Sequence, residues 1–231
     1  MTHPFQYFLW IIFPYIALGS FFFGTILRLT LFNSSITAVS SELLEKHRLI
    51  IGSISFHTGI ILVFLGHILG ILIPKGWIDA LGISEHMYHI FGSILMGGLA
   101  GVLALVGMLL LTWRRFSDVR VFRTSSLGDL IVNIALLITI ILGLIATLTS
   151  SLHPAFNYRT SLSVWARQLF TFYPDLRFML HVPLIYKLHV ICGFLILGMF
   201  PYTRLMHALV LPWQYVFRRF IIYRRKPQYD R

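Results

Sequence analysis

Acidic residues and cysteine are both scarce in this chain. Eight Asp and Glu stand against 19 Lys and Arg, and only 12% of the 231 residues are charged while 57% are hydrophobic. With a mean hydropathy of +0.81, a soluble domain is excluded, because there is too little charged surface to cover it. The formal net charge of +11 would suit nucleic acid. The basic residues, however, gather at the ends of apolar runs rather than on one polar face, as membrane orientation signals do, so nucleic-acid binding is set aside. Cys192 is the single cysteine and lies inside an apolar run. This excludes a disulfide framework, a zinc spacing and a Cys-x-x-Cys-His site for covalent haem attachment. Thr2, His3 and Pro4 lead straight into apolar sequence without a basic segment or a small-residue cleavage site, so the first stretch is expected to be a retained helix rather than a signal peptide.

Long apolar runs are what the chain has in quantity. A crossing needs on the order of 20 mostly apolar residues, and five stretches qualify: residues 5–32, 50–73, 88–113, 127–150 and 184–211. The expected fold is an all-α integral membrane protein, a bundle of five transmembrane helices forming a single domain over residues 1–231, with a basic and aromatic tail over 212–231. No soluble domain or internal repeat is apparent. Pro14 is tolerable near a helix's opening turns, whereas Pro201 should bend the fifth span. The second span carries Gly52, Gly59, Gly66 and Gly70, which let a neighbouring helix or a flat macrocycle approach the backbone. For glycines alone, tight helix packing is the simpler reading. The connection from Ser151 to Pro183 is expected to lie along the membrane surface, with a short amphipathic helix near Ser163–Phe172.

Basic residues set the orientation. Arg28, Lys46, Arg48, Arg114, Arg115, Arg204 and the basic residues of the tail fall on one side, and Lys75, Arg159, Arg167, Arg177 and Lys187 on the other. The richer side is cytoplasmic by the positive-inside rule, which places the N-terminus outside and the C-terminus in the cytoplasm.

Four histidines sit in two of these spans, His57 and His67 in the second and His189 and His207 in the fifth. An ionisable side chain in the hydrocarbon core is costly without a partner and so marks a functional candidate. Two per helix on two helices suggests two shared ligands, and bis-histidine ligation of two b-type haems is the expectation. Orientation decides the pairing: His57 and His207 are inner, His67 and His189 outer. The ten residues between His57 and His67 span roughly 15 Å of helix, the 18 between His189 and His207 roughly 27 Å. Irons midway between their ligands would then be about 21 Å apart, with ligand axes sloping in opposite senses. His67 lies roughly 80° around the helix from His57, so the haem planes need not be parallel. Interhelical polar contacts are the rival for any one histidine. Zinc would need its ligands to converge at one depth, and membrane proton relays usually include carboxylates, which both spans lack.

The stretches Phe56-His57-Thr58-Gly59-Ile60, Gly66-His67-Ile68-Leu69-Gly70, Lys187-Leu188-His189-Val190 and Phe200-Pro201-Tyr202-Thr203-Arg204-Leu205-Met206-His207, followed by Pro212-Trp213-Gln214-Tyr215, resemble the gamma subunit family of respiratory nitrate reductases, five-helix membrane cytochromes b. The same motifs fit a wider family that includes membrane subunits of heterodisulfide- and sulfite-reduction complexes. The resemblance implies residence in the prokaryotic inner (cytoplasmic) membrane and oxidation of menaquinol or ubiquinol at an outer, distal haem. Electrons would then flow to an inner, proximal haem, to an iron–sulfur beta-type subunit and to a cytoplasmic molybdenum alpha-type subunit. It assigns His67 and His189 to the distal haem and His57 and His207 to the proximal one.

A quinol pocket is expected near Gly66, His67 and the start of the third span. The family offers a lysine just before that span, whereas this chain has Glu85-His86-Met87-Tyr88-His89. His86 or His89 could donate to the quinol oxygen or take its proton; the alternative is that both face water. Lys187 and Arg204 are candidate partners for haem propionates, against simple snorkelling to headgroups. The tail suits docking of a cytoplasmic electron-transfer partner or a positive-inside anchor alone. Other functions remain open: the same module serving a different reductase, or a non-redox membrane scaffold. A transporter is disfavoured by the lack of repeat symmetry.

Overall fold

In lipid, every backbone N–H and C=O must find a partner within the chain, so apolar runs of this length fold as helices. The computed structural model describes residues 4–32, 45–152 and 156–210. Among them, five helices are long and apolar enough to cross a membrane: Pro4–Thr30, His47–Leu72, Glu85–Ser117, Leu127–Ser150 and Leu184–Tyr202. All regular structure among the described residues is helical. The tail over 212–231, residue 211 of the expected fifth span and residues 33–44 of the polar connection lie outside the described residues.

The second and third spans make the closest crossing. A Cβ on Gly59 would collide with the Ala104 backbone, and one on Gly107 with the backbone of Phe56. Gly52 lies 3.3 Å, measured from an added Cβ, from the Gly107 carbonyl. Helix packing is therefore the role of Gly52 and Gly59. Gly66 is different, since an added Cβ there meets nothing within 4 Å. The first and fifth spans are tied by Ser20 Oγ donating to the Gly198 carbonyl at 2.8 Å and by Gly24, which seats the ring of Pro201.

Residues 156–183 fold back over the end of the bundle formed by Trp10, Ala146 and Tyr186. The expected amphipathic helix forms over Leu162–Phe170 and buries Leu162, Ser163, Trp165 and Leu169. Its apolar face packs on protein: Trp10, Ala146, Met179 and Tyr186 share one cluster with it. The connection forms a cap on the end of the bundle. Pro14 explains one anchor. Lacking an N–H, it leaves the Trp10 carbonyl without its helical donor. Trp165 Nε1 donates to that carbonyl at 3.0 Å.

The first three spans carry wide, π-helical turns at this same end, Phe8–Ile12, Ile68–Leu72 and Tyr88–Gly97. Such turns concentrate at functional sites.

The fifth span departs from a merely bent helix. Its α-helix ends at Met199 and gives way to a 3-10 turn over Phe200–Tyr202. Thr203 is extended, and a second 3-10 turn covers Arg204–Ala208 with the Thr203 side chain accepting from Leu205 N–H. Pro201 removes a backbone donor, and the chain re-initiates rather than continuing. Helical rise therefore does not apply between Met199 and His207, and the expected slope of the ligand axes loses its premise.

Candidate functional site

The fold brings the four histidines together in two pairs. His57 faces His207 with ring centres 6.2 Å apart and planes at 71°. His67 faces His189 at 5.9 Å and 31°. A metal–nitrogen bond of about 2 Å, plus about 1.1 Å from nitrogen to ring centre, puts two imidazoles that share one ion about 6 Å apart. Among the described residues no group of three or more His, Cys, Asp or Glu converges on a metal position. The arrangement suits a group that brings its own equatorial ligands, as a haem does.

Hydrogen bonds fix the tautomer. Nδ1 of His57 donates to the Ser53 carbonyl at 2.8 Å, that of His67 to Val63 at 2.8 Å, and that of His207 to Arg204 at 2.6 Å. His189 reaches across to another span and donates to the Thr139 carbonyl at 3.0 Å. A proton on each Nδ1 leaves each Nε2 lone pair as the metal-facing donor, and the carbonyl partner orients the ring. Gly143, one turn beyond Thr139, makes room for the His189 ring: an added Cβ would lie 2.9 Å from its Cε1.

A cavity of about 260 Å³ is lined by His86 and His89 together with Glu85, Tyr88, Tyr158 and Arg159, and Gly70, three residues beyond His67, lies against the hydroxyls of the two tyrosines. His89 Nδ1 is 3.5 Å from Ser150 Oγ. Glu85 accepts from Asn157 Nδ2 at 3.1 Å and from Arg159 Nη1 at 3.3 Å, and Lys75 Nζ sits 3.3 Å from it. Arg159 is only 2% exposed and lies 3.9 Å above the centre of the Tyr88 ring. Tyr158 shares a 2.9 Å hydrogen bond with Ser93, and burial pushes its phenol above the ordinary range, so it keeps its proton near neutral pH. Gly66 is not among the lining residues; the three candidate quinol residues are divided, with His86 and His89 in the cavity and Gly66 apart from it.

The family described as "Nitrate reductase gamma subunit" matches residues 6–226. The chain belongs to this family. It is 42% identical over 218 residues to "Nitrate reductase gamma chain" of Bacillus subtilis, covering 94% of this chain and 97% of that protein. It is 36% identical over 216 residues to "Respiratory nitrate reductase 2 gamma chain" of Escherichia coli, covering 93% and 95%. A "Nitrate reductase-like protein NarX" of Mycobacterium tuberculosis is 36% identical over 221 residues, covering 95% of this chain but 34% of that protein. Together with the five spans, membership of this family makes the chain a multi-pass membrane component of the nitrate reductase type.

Within that framework, the two basic candidates have protein partners. Lys187 Nζ donates to the Leu180 carbonyl at 3.1 Å. Arg204 Nη1 pairs with Asp129 Oδ1 at 3.4 Å. Sequence reasoning missed Gly143, Thr139, Tyr158 and the site role of Arg159. Gly143 is the only glycine between Asp129 and Ser150, a signal whose meaning depends on the fifth span lying opposite. Arg159 had counted only as an outer basic residue.

Proposed function

We propose that this chain is the dihaem cytochrome b subunit of a respiratory nitrate reductase: it oxidises menaquinol or ubiquinol near the outer face and passes electrons inward, through a distal and then a proximal haem b, to iron–sulfur and molybdenum subunits in the cytoplasm. The observation that carries this reading is the two histidine pairs. Each has the ring separation that one shared ion requires and the tautomer that leaves Nε2 as the donor. Family membership supports the nitrate reductase assignment.

Bound haem supplies a one-electron carrier at each depth, with its potential tuned by ligand, hydrogen bonds and burial. The chain's own residues supply the rest. His67 and His189 are the proposed distal ligands and His57 and His207 the proximal ones. Thr139 and Gly143 hold the His189 ring in place. Oxidising a quinol to the quinone releases two electrons and two protons. His86 and His89, which line the cavity, are the proposed acceptors of those protons. Gly66 remains a candidate for contact with the quinol ring because its side has open space. Lys187 and Arg204 are proposed to reach haem propionates in exchange for their present partners.

With the N-terminus outside and the C-terminus in the cytoplasm, the 212–231 tail lies on the partner side, and its arginines and aromatics suit docking. An absorption spectrum of the purified chain, produced with ample haem, tests the core of the reading. Two dithionite-reducible b-type haems per chain are expected, and an absence of haem overturns it. Deleting 214–231 is expected to release the soluble partner without loss of haem absorbance; retained partner binding overturns docking.

A further inference from the structure

Arg159 has a half-used guanidinium. Nη1 is taken by Glu85, while Nε and Nη2 are buried and have no hydrogen-bond partner. Those two nitrogens form one edge of the guanidinium, with parallel N–H bonds that match the two oxygens of a carboxylate. An unsatisfied buried charged donor is costly, and native structures rarely keep one without a ligand or water. The face of the same group is stacked on Tyr88, and Glu85, held by Asn157 and Lys75, fixes its rotation. The arginine is braced on two sides and open on the third.

What lies between this edge and the outer histidine pair narrows the ligand. Gly70 follows His67 by three residues on the same span. An added Cβ on Gly70 would be 3.5 Å from the hydroxyls of both Tyr158 and Tyr88. Gly70, three residues beyond His67, thus lies against two phenol hydroxyls, and Arg159 stacks on the ring that carries one of them. Phenols and guanidinium are donors to an anion. Gly70 leaves a passage to them from the side of the histidines.

We infer that the free edge of Arg159, with Tyr88 and Tyr158, receives a carboxylate arm of the group held by His67 and His189, that is, a propionate of the outer haem. The inference rests on the dihaem reading and adds the residue that anchors the outer group at the membrane surface and sets its charge environment. Arg159 donates through Nε and Nη2; Glu85 is the positioning residue that keeps this edge turned inward. An anionic lipid phosphate is the other source of a matching anion, and the experiment separates the two.

The test is a redox titration of both haems in the parent chain, Arg159→Gln and Arg159→Lys, with redox-difference infrared spectra of protein carrying haem labelled with 13C at the propionate carboxylates. In Arg159→Gln, loss of a positive charge beside the outer haem disfavours its reduction. The expected change is about tenfold in the reduction equilibrium, about 59 mV downward for a one-electron couple, with the inner haem unmoved and the 13C-sensitive bands shifted. Arg159→Lys should hold the outer potential near the parent value. If the two haems are present but the outer potential and the labelled bands do not change in Arg159→Gln, the inference fails while the dihaem reading stands, whether or not an anionic lipid copurifies. Absence of haem from the parent overturns both. Should Arg159→Gln not accumulate, Tyr158→Phe reads the same site: it removes one donor to the carboxylate and should shift the 13C-sensitive bands with both haems present, and unchanged bands overturn the proposal.

Discussion

The outer and inner histidine pairs use the same residue type at nearly the same ring separation, 5.9 and 6.2 Å, yet the chain builds them on unlike supports. In the inner pair, both rings lean on their own segment, His57 on Ser53 and His207 on Arg204, and His207 stands on a short 3-10 turn beyond a helix break. In the outer pair, His189 is held by a neighbouring span through Thr139 and seated over Gly143. The outer end also carries the π-helical turns, the cap made by residues 156–183 and the cavity. Both ends carry ion pairs, Arg114 with Glu45 and Arg204 with Asp129 at the inner one and Glu85 with Arg159 and Lys75 at the outer one, but among the described residues the cavity is found beside the second set. The contrast follows from the work proposed for each end. Quinol chemistry needs room for a ring and groups that handle protons; onward electron transfer needs only a fixed ligand pair and a surface for a partner.

The sharpest way to break the comparison is to delete one pair at a time. His67→Ala or His189→Ala should halve the b-type absorbance and abolish quinol-driven reduction of the remaining haem. His57→Ala or His207→Ala should also halve the absorbance but leave the outer haem reducible by quinol. Loss of both haems from any single variant would mean that the pairs are not separate sites. Gly143→Leu comes next. Its side chain would press on the His189 ring, and overpacking of this kind costs about 1–3 kcal/mol. Partial loss of the outer haem with full inner occupancy is expected in a haem assay; an equal fall in both would show general misfolding.

Trp165→Phe tests the cap. It leaves the Trp10 carbonyl without a donor, a loss of about 1–3 kcal/mol, and should lower the thermal midpoint followed through the outer haem band. Adding Pro14→Ala restores an N–H to the helix and should recover part of the loss; a strictly additive double variant would refute the explanation. The smallest effect is expected at the inner end, where Arg204→Gln removes a partly exposed pair worth under about 1 kcal/mol. Redox titration should show a shift in the inner potential alone, and movement of the outer one would sink the assignment of Arg204.

The inner end also has a pH signature. The backbone N–H of Arg48, followed by the Arg114 guanidinium, holds the Glu45 carboxyl below the usual carboxylate range. A carboxyl whose folded value is depressed adds stability above its unfolded value and loses it as pH falls through the folded one. Acid should therefore loosen this contact, and Glu45→Gln should remove that part of the acid sensitivity in a thermal melt.

Much of this was readable before any coordinates. Five spans follow from run length because lipid leaves the backbone no other partner. Their alternation across the membrane groups His57 with His207 and His67 with His189 by depth, and these are the pairs the structure juxtaposes. Gly52 and Gly59 read correctly as packing residues. The connection after the fourth span was legible as an amphipathic helix, but not what its apolar face packs on, because the pattern is the same whether that face meets lipid or Trp10 and Met179. The fifth span misled for a related reason: Pro201 signals a lost hydrogen bond, but whether the chain bends or restarts depends on what it packs against, in this case Gly24 of the first span.

Residue chemistry alone thus determined the number of helices long and apolar enough to cross a membrane and the scarcity of titratable groups inside them, since both follow from solvation in lipid. Tertiary structure decided that the Thr139 carbonyl orients the His189 ring, that Gly143 is its seat, and that Arg159 is buried over Tyr88 with Nε and Nη2 unpaired. Those facts require residues as distant in sequence as Thr139 and His189, or Tyr88 and Arg159, to meet, and no local pattern encodes such a meeting.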